Sequence, residues 1–123
     1  MLNEEFWMTK TENIILTRTF NFAKDITKLY IELKKDKIYE LASQLFKSGT
    51  SIGANVEEAQ AAQSKKDFIS KMSIAAKEAR ETKYWLRLLN ETNISGIDVQ
   101  MLLKEIDEII NIISKIVKTS GAN

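Results

Sequence analysis

Residues 38–62, IYELASQLFKSGTSIGANVEEAQAA, decide the architecture. Ile38, Leu41, Leu45, Ile52, Val56 and Ala59 recur at helical spacing. The run Ser48, Gly49, Thr50, Ser51, Ile52, Gly53, Ala54 nevertheless sets two glycines and three hydroxyl residues inside that pattern, where helix propensity is poor. A loop at this run is one reading. The apolar phase, however, passes through it unbroken from Leu45 to Val56. The segment therefore reads as a single helix, whose small residues let a neighbouring backbone approach closely.

Working outward, the preceding segment from about Thr11 to Leu33 carries Ile15, Phe22, Ile26, Leu29 and Leu33 on one face, with Phe20, Ala23 and Tyr30 widening it. Lys34 to Lys37 form the polar turn into the second helix. On the other side, Ser64 and Asp67 have capping-box spacing and open a third helix over 65–91, with a stripe of Phe68, Met72, Ala75, Ala79, Thr82, Leu86 and Leu89. Asn90, Thr92, Asn93 and Gly96 break the chain. Ser95 and Asp98 repeat the capping pattern ahead of a fourth helix over 96–118, built on Val99, Leu102, Ile106, Ile109, Ile113 and Ile116, with Leu103, Ile110 and Val117 alongside. Residues 1–10, with the apolar cluster Phe6, Trp7 and Met8, and residues 119–123 read as tails, the last expected to fray. Four amphipathic helices (11–33, 38–62, 65–91, 96–118) with short connections predict one all-α domain, an up-and-down antiparallel bundle. The isoleucine-dense fourth helix, with Ile109, Ile110, Ile112 and Ile113, suggests more apolar surface than one copy hides, hence self-association; the alternative is that the third and fourth helices simply lie deep in the bundle, since apolar width alone does not prove association.

Composition removes most chemistry. The 123 residues contain no histidine, cysteine or proline, which excludes disulfides, thiol nucleophiles, Ser-His-Asp triads and the usual zinc ligand sets. Glu57, Glu58, Glu78 and Glu81 lack the histidines that di-metal bundles use, so a solvated face explains them better than a metal does. Gly49 and Gly53 are neither preceded by a strand nor followed by Lys-Ser, so no phosphate loop is present. No run of apolar residues is long enough to span a membrane and the first residues lack a signal-peptide pattern, so a cytoplasmic, non-enzymatic protein without cofactors is expected.

Two surface constellations remain. Ser51, Asn55 and Glu58 form a polar ridge on the second helix and Glu78, Glu81 and Trp85 one on the third; their meeting across a helix pair or subunit seam would let Asn55 bond a carboxylate. The second is basic. Residues 62–89 hold seven basic and three acidic side chains, although the whole chain carries only +1. Lys66, Lys77, Arg80 and Arg87 share about one third of the third helix on a wheel of about 100° per residue, with Tyr84 among them and Lys83 at the edge. Cations beside an aromatic ring suit a sequence-tolerant nucleic-acid surface, and an ordinary solvated helix face is the alternative reading.

The run SIGANVEEAQAAQSKKDFISKMSIAAKEARETKYWLRLL, residues 51–89, resembles the four helix bundle family of proteins encoded in intervening sequences of bacterial 23S ribosomal RNA genes. The resemblance rests on Ser51, Ile52, Asn55, Glu58 and Ala59, then on Ser64, Asp67, Phe68, Lys71, Ile74, Ala75, Lys77, Glu78, Glu81, Trp85 and Leu88. Lys47 stands where relatives often have arginine. The resemblance implies a left-handed bundle assembling into a homopentameric ring, similar to the accessory variability protein of diversity-generating retroelements, a basic ring held to bind nucleic acid and a reverse transcriptase. It implies no enzymatic activity. The leading expectation is an oligomer associating with RNA or a nucleoprotein partner through Lys66, Lys77, Arg80, Lys83, Tyr84 and Arg87. The alternative is a protein-interaction scaffold in which Ser51, Asn55, Glu58, Glu78, Glu81 and Trp85 build subunit contacts and no nucleic acid is bound.

Overall fold

A computed structural model describes the backbone of residues 2–121 and side chains from Ile14 to Gly121. It contains four helices: α1 (Leu2–Lys35), α2 (Tyr39–Gln60), α3 (Lys65–Thr92) and α4 (Gln100–Gly121). There is no strand among the described residues. Each helix packs on the next, and α4 closes back on α1 along the sparsest seam. The α1–α2 pair is antiparallel, since Gly49 lies on Ile26 while Gly53, one turn further along α2, lies on Thr19, nearly two turns back on α1.

Residues 48–54 are helical throughout. A Cβ at Gly49 would stand 2.9 Å from Ile26 Cγ1 and Cγ2, and one at Gly53 would stand 3.3 Å from the Thr19 carbonyl oxygen. The glycines that weaken α2 as an isolated helix are thus what lets α1 settle against it. The hydroxyls are satisfied locally: Ser48 donates to the Gln44 carbonyl at 2.9 Å and Thr19, across the interface, to that of Ile15 at 2.7 Å.

The core holds the apolar stripes, including Ile15, Phe22, Ile26, Leu45, Ile52, Met72, Leu86, Ile106, Ile109 and Ile113. Three expectations are corrected. Phe20 does not widen the α1 stripe inward, being 60% exposed. The isoleucines of α4 are not the surplus apolar surface, because Ile109 and Ile113 are fully buried and Ile110 and Ile112 half-buried against the core. The exposed apolar side chains lie instead mainly on α1 (Ile14, Phe20, Ile31) and α3 (Ile74, Tyr84, Leu88). The helix bounds also move. α1 begins at Leu2, because nothing in residues 2–10 breaks a helix; the side chains of Phe6, Trp7 and Met8 lie outside the described residues. α4 runs on to Gly121 with Ser120 buried, while residues 122–123 lie outside the described residues.

Helix ends follow local chemistry. Ser64 Oγ accepts from the Asp67 N–H at 3.0 Å, as the capping spacing requires, but the Asp67 carboxylate accepts from the Gln63 N–H at 3.4 Å instead of returning to that of Ser64. Before α4, Ser95 only turns the loop, accepting from the Ile97 N–H, and Asp98 Oδ1 takes the Gln100 N–H at 2.9 Å. The helix consequently starts four residues later than the spacing suggested. Arg18 joins α1 to α4, donating Nε to Glu105 Oε2 at 2.9 Å, Nη2 to Glu105 Oε1 at 2.8 Å, and Nη2 also to Glu108. These bonds, Glu105's first, hold the guanidinium pKa above its ordinary value.

Candidate nucleic-acid interface

Of the basic residues of α3, Lys66, Lys77, Arg80 and Arg87 are exposed, whereas Lys83 is half-buried at the edge of the core stripe. Arg80, Lys83, Tyr84 and Arg87 line one open groove of about 530 Å³ between α3 and α4, whose other wall is Asp107, Ile110 and Asn111. Lys77 is exposed one turn before the groove. Lys66, at the first turn of α3, stands about 31 Å along the axis from Arg87 and does not share it.

The cations are not equivalent. Lys83 Nζ is 2.7 Å from Asp107 Oδ1, so its charge is offset by the opposite wall. Arg87 Nε is 3.6 Å from Glu91 Oε2 with both groups well exposed, an ion pair of little energetic weight. Among the described residues, Lys66, Lys77 and Arg80 form no salt bridge. Tyr84 is 55% exposed, and its ring meets that of Trp85 at 5.0 Å and 75°, a T-shaped contact. A second groove of about 310 Å³ continues along the α3–α4 seam past Arg80, over Ser73, Ala76, Ser114, Val117 and Lys118.

Among the described residues of one chain, no hydrogen bond or ion pair joins the two polar ridges. Asn55 Nδ2 donates to the Ser51 carbonyl of its own helix at 2.8 Å instead of meeting a carboxylate, and Ser51 Oγ donates to the Lys47 carbonyl. Glu81 Oε2 accepts the Trp85 indole N–H at 3.2 Å, within α3. The link between the helices is Glu58 with Lys71 Nζ, at 3.3 Å. Glu78 contributes its carbonyl to the buried Thr82 hydroxyl. No group of three potential metal-ligating side chains occurs among the described residues, and no described helix is long and apolar enough to cross a membrane.

Asp107 and Asn111 escaped sequence reasoning, and Ile110 was read only as part of the apolar face, because helix periodicity says which face of α4 is apolar but not which flank adjoins α3. Arg18 escaped it too, although Glu105 and Glu108, three apart on one face of α4, were a signal for a guanidinium partner.

The family model described as 23S rRNA-intervening sequence protein matches residues 11–115. A crystal structure of a protein of unknown function from the S23 ribosomal protein family, from Bacteroides thetaiotaomicron, is 38% identical, covering 88% of this chain and 98% of that one with a TM-score of 0.82. No curated protein gives a significant match.

Proposed function

The chain belongs to the 23S rRNA-intervening sequence protein family, and we propose that it is a non-catalytic, cytoplasmic, oligomeric bundle that holds structured RNA by its phosphates. The observation that carries this is the outer face of α3. Among the described residues, Lys77 and Arg80 have no acidic partner, Arg87 has only a weak one, and Tyr84 stands exposed among them. Three cations on one copy make a weak electrostatic site. Repeated around a closed assembly, they multiply its field and avidity. Self-association, as a pentamer by family resemblance, draws support from Phe20, Ile31, Ile74 and Leu88, apolar side chains left in solvent by the bundle.

The mechanism is chiefly electrostatic: each phosphate neutralised releases counterions. The test is binding of 23S ribosomal RNA fragments by the wild type and by the double variant Arg80→Glu, Arg87→Glu, with mass followed in parallel. Loss of binding with assembly intact supports the reading. Unchanged binding, or a wild type that binds nothing at low salt, rejects it; assembly without RNA binding leaves the scaffold role.

A further inference from the structure

We propose that the α3–α4 groove seats an unpaired nucleotide of a single-stranded RNA segment, with the base against Tyr84 and the flanking phosphates at Arg80 and Arg87. The inference rests on the RNA reading above and specifies what that RNA must offer.

Charge in the groove is sorted by position. The Lys83–Asp107 pair, at 2.7 Å, leaves the centre without net charge, and beside it stand the half-buried Ile110 and the amide of Asn111. A neutral, partly apolar wall with one amide suits a base, which presents a flat face together with hydrogen-bond donors and acceptors. The less compensated cations, Arg80 and Arg87, lie seven residues apart on α3, about 10.5 Å along the axis, flanking Tyr84. A backbone passing over the rim can therefore touch both while its base turns inward.

Tyr84 supplies the platform. Trp85 meets it at an angle instead of stacking on it, and Trp85 is itself held through its indole N–H to Glu81. The ring is thus braced while more than half its surface stays in solvent, which lowers the ordering cost when a base stacks. The groove's volume of about 530 Å³ falls within the range of about 300 to 1,000 Å³ that accommodates small ligands. The second groove past Arg80 gives the strand a continuation towards Lys118 over the small side chains of Ser73, Ala76 and Ser114. An A-form duplex keeps its bases stacked inside, so it can touch the stripe but cannot fill the groove.

The test uses the full chain with Trp7→Phe, which leaves Trp85 as the only indole, and two probes: a short oligoadenylate and a blunt RNA duplex of matching length. The oligoadenylate is expected to quench Trp85 fluorescence and the duplex to leave it unchanged. Tyr84→Ala is expected to weaken oligoadenylate binding by about 5- to 150-fold without altering duplex affinity, whereas Tyr84→Phe, which keeps the ring, binds as the parent does. Oligoadenylate binding indifferent to Tyr84→Ala, or a loss shared equally by the duplex, overturns the nucleotide seat while leaving the RNA reading standing. If neither probe binds at low salt, the RNA reading itself has failed.

Discussion

Lys37 stands at φ 64°, in the left-handed region, at the turn between α1 and α2. Its N–H donates to the Lys34 carbonyl at 3.0 Å and the Ile38 N–H donates to that of Leu33 at 2.9 Å, a Schellman closure with lysine where glycine is usual. Lys37→Gly should stabilise the fold by about 1 kcal/mol, since the strained conformation costs an L-residue about that much. Thermal unfolding should register this as a rise of about 4 °C. The strain was not legible in the sequence, where Lys34 to Lys37 read only as a polar turn, because no residue type there announces a positive φ. Ser64, by contrast, was legible as a cap because its chemistry is local. Asn93, at φ 52°, ends α3 in the same region with a residue that tolerates it.

Between elements, the α1–α2 contact depends on the small residues of α2. Gly49→Ala gains about 1 kcal/mol of helix propensity. Its Cβ, however, meets the fully buried Ile26 at 2.9 Å, and overpacking of this kind costs about 1–3 kcal/mol. Urea denaturation should find the variant less stable than the wild type. Gly121→Ala, with nothing within 4 Å of its Cβ, is the control and should be neutral or slightly stabilising. The α1–α4 seam has a different lock. Arg18→Ala removes the bidentate bond to Glu105 and the contact with Glu108; at about one-third exposure the expected loss is about 1 kcal/mol. Hydrogen exchange should quicken first along α4 facing α1. That a helix would run through residues 48–54 was readable from apolar phase alone. Which flank of α4 would meet α3, and hence that Asp107 and Asn111 would share a groove with Arg80, was not. Lateral register depends on how all four helices pack together, and no single stripe encodes it.

At the scale of the whole molecule, the order of four helices and most of the core were legible because each stripe buries its own face. Where the surplus apolar surface would lie was not. Isoleucine density pointed to α4, but a helix with a broad apolar face is the one the bundle buries best, and the remainder fell to Phe20, Ile31, Ile74 and Leu88. The cations of α3 set a quantitative expectation. A single copy offering Lys77, Arg80 and Arg87 gives a slope of log affinity against log salt of about −2 to −3, and an assembly engaging several copies on one RNA should be steeper. The most direct measurement is light scattering of the purified protein, alone and with a 23S ribosomal RNA fragment at low salt, with absorbance at 260 nm recorded together. The expected result is an assembly whose mass is a multiple of 14.1 kDa and which takes up the RNA. A lone 14.1 kDa species, unchanged by RNA, would contradict the account.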